Sequence, residues 1–305
     1  MKTTDCIILG AGPAGLSTAI YLARANVSSC IIDTGLAGGR PNGYLEIENY
    51  LGLGKISTAE MIDKFIKHVE EFKVPIYDCE EILSVDLENK IVTTINDTYK
   101  AKVIVIATGS RPRKLNVKGE EEFTGRGVHY CAICDGAFYK DKVVAVVGGG
   151  NSACEEALYL SDIAKKVYLI EYTDSLNADQ VTIDLIEKRD NIEVFTSCRV
   201  EEIIGDKKVT GISLINLHKI NFIFSYDVDA VFPYIGMEAN SDMFDVDKSY
   251  GFIRTTATML TSVDGVFAVG DVRDKVLRQV VTAVSDGAIA GVSISKYLKL
   301  TKNFI

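Results

Sequence analysis

A glycine-rich turn occurs twice in this chain, each time between an apolar strand and a helix and each time followed by an acid at the same interval. Near the N-terminus Cys6-Ile7-Ile8-Leu9 runs into Gly10-Ala11-Gly12-Pro13-Ala14-Gly15, a helical stretch to about Ala25 and a strand, Cys30-Ile31-Ile32, that ends at Asp33. In the middle, Val143-Val144-Ala145-Val146-Val147 runs into Gly148-Gly149-Gly150-Asn151-Ser152-Ala153, a second helical stretch and a strand, Val167-Tyr168-Leu169-Ile170, that ends at Glu171. Asp33 follows Gly10, and Glu171 follows Gly148, by the same 23 residues. One such turn is a weak sign, because any tight strand-to-helix turn favours glycine. Two copies with matched strand, helix and acid predict two dinucleotide-binding units. The first glycine permits the turn, the second lets backbone approach a pyrophosphate, and the small third residue lets helix and strand lie close. The helix N-terminus offers unpaired N–H groups to phosphates, and the acid can accept hydrogen bonds from ribose hydroxyls.

The rest of the chain fits around these units. Met61, Ile62, Phe65, Ile66, Val69 and Phe72 recur at helical spacing, and Lys90–Tyr99 reads as a hairpin turning at Asn96-Asp97. Val103–Ile106 is a buried strand leading to Ala107-Thr108-Gly109, and Val209–Leu217 with Ile220–Phe224 suggests a second hairpin. The tail strand Val266–Val269 leads to Gly270-Asp271, and a small-residue helix from about Gln279 to Leu298 suits the closing of the first nucleotide unit. The expected fold class is therefore α/β: two Rossmann-like three-layer ββα nucleotide-binding domains, the second inserted into the first. The first takes residues 1–113 and 246–305, and the second 114–245.

Chemistry is expected at Cys131-Ala132-Ile133-Cys134-Asp135, just upstream of the second turn. A CxxC is half a zinc site, a redox dithiol or two incidental cysteines. Zinc needs two further ligands, and neither His129 nor His218 nor a second CxxC completes a set, so no metal site is expected. Redox use is favoured, with Asp135 either capping a helix or moving the proton that thiol–disulfide exchange needs. The other five cysteines lie in apolar or helical contexts and read as packing. A dithiol stores two electrons but accepts a hydride poorly, whereas a flavin accepts one and passes two electrons on. Two nucleotide units around one CxxC thus suggest a relay from donor to flavin to dithiol to a partner disulfide. A net charge of −9 argues against nucleic-acid binding. No apolar run reaches the ~18–20 residues of a membrane span, and the start does not resemble a secretory signal, so the expected location is the cytoplasm.

The chain resembles the low-molecular-weight thioredoxin reductases across essentially its whole length. The resemblance is carried by GAGPAG at 10–15, AGGR at 37–40, IENYLG at 47–52, ATGSRP at 107–112, CAICDG at 131–136, GGGNSACEEAL at 148–158, FAVGDV at 267–272 and RQVVTAVSDG at 278–287. It implies FAD held by Gly10, Gly12, Pro13, Ala14, Asp33, Gly39, Arg40, Asn49, Thr108, Gly109, Asp271, Arg278 and Gln279. A pyridine nucleotide would lie on Gly148, Gly150, Asn151, Ser152 and Glu171. It also implies that Cys134 faces the flavin, that Cys131 attacks thioredoxin, that Asp135 is the acid–base residue, and that the protein is a homodimer whose domains rotate between two arrangements.

One segment departs from the family. Where its NADPH enzymes carry His-Arg-Arg-x-x-x-Arg, this chain has Glu171-Tyr172-Thr173-Asp174-Ser175-Leu176-Asn177, with no arginine. The 2′-phosphate would lose charge-assisted hydrogen bonds of about 1.5–3 kcal/mol each. It would also meet a carboxylate, opposed by roughly 3 kcal/mol per unit charge at ~5 Å and an effective dielectric of ~20. NADH is therefore favoured over NADPH, and the segment through Ala178-Asp179-Gln180 resembles the NADH-using reductases of peroxiredoxin systems. The bland reading of Glu171, a solvated strand-end acid, belongs to a different donor, reduced ferredoxin or a reduced deazaflavin. The expected partner is thioredoxin or a thioredoxin-like or peroxiredoxin disulfide protein. The competing readings are a ferredoxin–NAD(P) reductase, which needs no dithiol, and a non-enzymatic flavin redox sensor.

Overall fold

A computed structural model of the chain describes residues 1–43, 46, 47, 49–218 and 222–302. Glu48 of the 47–52 segment, Ile220 of the expected hairpin and the side chain of Cys134 lie outside the described residues. The chain divides into two compact units, residues 1–111 with 238–305, and residues 112–237. The return crossing comes earlier than the boundary expected at 246. Thr108 Oγ1 donates to the Asn240 carbonyl at 2.6 Å and Asn240 Nδ2 to that of Thr108 at 2.9 Å, which ties residue 240 to the first unit.

In the first unit a five-stranded sheet runs in the order Val266–Ala268, Val103–Ile106, Cys6–Leu9, Ser29–Ile32, Ile76–Tyr77, and every pairing is parallel. Successive side chains of a strand point to opposite faces. Cys6 and Ile8 accordingly join the cluster under helices Pro13–Arg24 and Val280–Lys302, with Leu16, Ala290 and Ile294. Ile7 and Leu9 join the opposite cluster, with Val92 and Tyr99 from the sheet Lys2–Thr3, Thr98–Lys100, Ile91–Thr94, Ile82–Asp86. Both faces are dry, which is why these strands read as unbroken apolar runs. Gly287 lets the two helices touch, since a Cβ there would lie 2.3 Å from the Ala14 carbonyl oxygen.

The second unit repeats the plan. Its parallel sheet runs Ile192–Phe195, Lys166–Ile170, Val143–Val147, Ala230–Pro233. Val144 and Val146 face helix Asn151–Ser161, while Ala145 and Val147 face an antiparallel sheet. That sheet has three strands, Cys198–Gly205, Val209–Asn216 and Ile223–Asp227, where the sequence suggested a hairpin alone. Charged residues interrupt Cys198–Gly205, whose inward positions Cys198, Val200 and Ile203 are nonetheless buried. Among the described residues no helix is long and apolar enough to cross a membrane.

Candidate active site: two nucleotide cradles and a cysteine pair

The first turn is shaped by its glycines. Gly10 has φ +114°, and a Cβ on it would lie 2.3 Å from the Ala107 carbonyl oxygen. Gly12 is the N-cap of helix Pro13–Arg24 with no side-chain cap, so first-turn amides stay open to an anion. Asp33 Oδ2 accepts from Ala11 N at 2.6 Å and Oδ1 from Gly35 N at 2.8 Å, and burial raises its carboxyl above the ordinary range. Gly38 N donates to the Ala11 carbonyl at 2.9 Å. Gly39, at φ +67°, would carry a Cβ only 2.9 Å from Gly12 Cα. Gly10, Gly12, Asp33 and Gly39 therefore form one cradle of bare backbone.

At the end of strand Val266–Ala268 lies Asp271, whose buried Oδ1 has no hydrogen-bond partner among the described residues. Burial raises its carboxyl, while Lys275, whose Nζ is 3.7 Å away, Arg40 and Arg278 act in opposition. Sequence reasoning missed the buried cluster beside it. Asp286 pairs with Arg273 at 2.9 Å and with Lys275 at 3.1 Å, and accepts from Gly270 N at 3.0 Å. Arg278 stacks over Phe252 at 3.9 Å, and Asn49 Nδ2 donates to Gln279 Oε1 at 3.1 Å. Thr108 and Gly109 are engaged by Asn240, which had no recognisable signal in the sequence.

The second turn has its own geometry. Gly150 is the uncapped N-cap of helix Asn151–Ser161, and Gly148 has φ +131°. Glu171 is 7% exposed, so the solvated reading of this acid does not hold. Its Oε1 accepts from Thr173 N at 2.8 Å and Thr173 Oγ1 at 2.6 Å, and a Cβ on Gly149 would lie 2.6 Å from its Oε2. The segment that lacks arginines folds back over the turn. Asn177 N donates to the Gly149 carbonyl at 2.7 Å, and Asp179 N to Asn151 Oδ1 at 2.7 Å. Ser152 is exposed beside it.

The CxxC straddles the start of the short helix Ala132–Asp135. Cys131 is disulfide-bonded, whereas Cys6, Cys30, Cys79, Cys154 and Cys198 are free thiols. Asp135 makes no capping hydrogen bond to the helix that follows. Its Oδ2 instead lies 3.3 Å from His129 Nδ1, and His129 Nε2 lies 2.7 Å from the Tyr139 hydroxyl. Burial lowers the His129 imidazole against the opposing pull of Asp135. Among the described residues no group of three His, Cys, Asp or Glu side chains is placed to hold a metal ion.

Comparison with known proteins gives a consistent result. The sequence profile described as pyridine nucleotide-disulphide oxidoreductase matches residues 4–287. A thioredoxin reductase of Listeria monocytogenes is 41% identical over 99% of this chain and 96% of its own length. The crystal structure of Lactococcus lactis thioredoxin reductase superposes with a TM-score of 0.83, at 35% identity, over 97% of this chain and 99% of that one. A ferredoxin-flavin thioredoxin reductase from Clostridium acetobutylicum matches with a TM-score of 0.54 at 30% identity, over 98% and 99%.

Proposed function

The chain belongs to the pyridine nucleotide-disulphide oxidoreductase family, among its thioredoxin reductases, and from that premise we propose the identity of its site residues, its donor and its partner. It is a thioredoxin reductase-type FAD disulfide oxidoreductase. FAD would be held in the first unit by the bare backbone of Gly10, Gly12 and Gly39, by Asp33, Arg40 and Asn49, and by Asp271 with Arg278 and Gln279. Asp271 Oδ1, which takes no hydrogen bond and has only Lys275 at ion-pair distance, and the glycine cradle fit such a group, because each leaves polar capacity open to a ligand. Bound there, it supplies hydride acceptance from a donor and delivery of an electron pair to a disulfide.

The disulfide is that of Cys131, and the partner assigned to it is Cys134. Reducing it takes two electrons and two protons and yields two thiols, which return to a disulfide as the S–S bond of thioredoxin or a thioredoxin-like protein is reduced. Asp135 holds the proton for the departing sulfur at Oδ2, where a neutral His129 donating from Nδ1 keeps it aimed. Tyr139 fixes that tautomer by donating to Nε2.

NADH is the favoured donor, carried by one observation: a buried carboxylate, Glu171, stands against the second glycine turn, and the segment 171–177 contains no arginine. An anaerobic titration of flavin absorbance with NADH, NADPH and reduced ferredoxin tests this. Bleaching by NADH at far lower concentration than NADPH is expected, and equal bleaching refutes the preference. Similarity to the Clostridium ferredoxin-flavin protein favours a second reading, in which reduced ferredoxin alone bleaches the flavin. The proposal includes a homodimer, which sedimentation of the purified protein checks, and a cytoplasmic location, which cell fractionation checks.

A further inference from the structure

A second polar chain ends at the backbone beside Cys131. The Ala132 N–H, adjacent to Cys131 and fully buried, donates to the Tyr234 hydroxyl at 2.7 Å. Tyr234 in turn donates to the carboxylate of Glu156 on helix Asn151–Ser161. The other oxygen of that carboxylate, Oε2, is buried with no hydrogen-bond partner among the described residues. A buried carboxylate left half-satisfied costs stability, and nothing in the nucleotide turn uses it.

We propose that Glu156, acting through Tyr234, is a positioning residue for the redox pair: its carboxylate orients the hydroxyl that anchors the Ala132 amide, and its charge governs how readily the adjacent Cys131 thiol ionises. The inference rests on the reading of Cys131 as half of that pair. Two hydrogen bonds link the carboxylate to the Ala132 amide, next in the chain to Cys131; reduction turns the neutral disulfide into sulfur that can ionise there, so the two charges oppose each other. A like charge about 12 Å away across an effective dielectric near 20 changes thiol ionisation roughly tenfold, and the effect grows as the separation falls.

The surrounding charges leave Glu156 as the group that titrates there. Burial raises it to about 7, Tyr234 pulls it down and Glu155 on its own helix pushes it up. Other charged groups of the unit have their own partners: Asp135 faces His129, Arg189 pairs with Asp162, Lys166 with Glu193, Asp184 accepts from Gln180, and Glu171 takes up Thr173.

The test measures alkylation of Cys131 by iodoacetamide against pH in the flavin-loaded, full-length Cys134→Ser protein, read by mass spectrometry of the modified peptide. The parent curve is expected to show a step near pH 7 beside the thiol's own. Adding Glu156→Gln, which keeps size and shape, erases that step and raises the rate above it about tenfold. Adding Tyr234→Phe moves the step to higher pH, because the hydrogen bond that favours the carboxylate is gone. A parent curve without the step, or a step that survives Glu156→Gln, overturns the proposal. Thiol titration of the wild-type protein after donor addition is scored separately. A disulfide that stays closed there would end the functional reading and leave the alkylation curves legible.

Discussion

Replacing Glu171 with Gln keeps the two hydrogen bonds that Thr173 donates to Oε1 and removes only the charge beside Gly149. The fold of the 171–179 segment is therefore unaffected, and any change reports on the nucleotide. A 2′-phosphate carries about −1.5 to −2 charge at neutral pH. At ~5 Å and an effective dielectric of ~20 the carboxylate opposes it by roughly 3 kcal/mol per unit. With half of that lost to screening, about 2–3 kcal/mol remains, or roughly 30- to 150-fold in NADPH affinity. NADH would instead exchange a charge-assisted hydrogen bond for a neutral one and lose about 1 kcal/mol, some fivefold. The NADH-to-NADPH preference should thus move by a few hundredfold toward NADPH. Stopped-flow flavin reduction under anaerobic conditions measures both second-order constants on one sample. A change in their ratio of less than about tenfold, well under the screened Coulomb term, would show that Glu171 does not face the nucleotide ribose.

Three further outcomes follow from the site. Asp135→Asn should slow reduction of the partner disulfide by about 10²–10⁴-fold while donor-driven flavin bleaching keeps its rate, and single-turnover kinetics separates the two steps. Asp271→Asn removes the charge on a buried oxygen assigned to the flavin. It should weaken FAD retention by roughly 10- to 100-fold, read as a lower 450-to-280 nm absorbance ratio after gel filtration. Burial raises the Glu156 carboxyl from its ordinary 4.5 to about 7 in the fold, so its stabilising contribution is full below 4.5 and lost as pH rises through 7. Thermal melts of Glu156→Gln against wild type should therefore favour the variant by about 2–3 kcal/mol more at pH 8 than at pH 5. An equal difference at both pH values would place that carboxylate in water.

The legible parts of this protein are those whose physical demands are local. A turn such as Gly10–Gly15 leaves a bare-backbone pattern that reads directly, because φ +114° and a 2.3 Å approach to another carbonyl exclude a side chain. Strands buried on both faces, such as Val143–Val147, appear as apolar runs, and their repetition shows two units of one plan. Cys131-x-x-Cys134-Asp135 carries its chemistry within five residues. Strand Cys198–Gly205 escaped because its solvent side is charged, so that alternation had to be recognised against an unknown partner strand.

Sequence by itself therefore determined the two nucleotide turns, their acids and the cysteine pair, since each is a requirement of neighbouring backbone on itself. Tertiary structure alone decided what surrounds them. His129 and Tyr139 hold Asp135, Tyr234 reaches back across the unit to Ala132, Asn240 closes on Thr108, and Asp286 gathers Arg273 and Lys275 beside Asp271. Two of these contacts, Tyr234 with Ala132 and Asn240 with Thr108, join residues more than a hundred positions apart. A single hydrogen-bonding side chain has no periodicity to betray it, and its partner is chosen only when the sheets bring the two segments together.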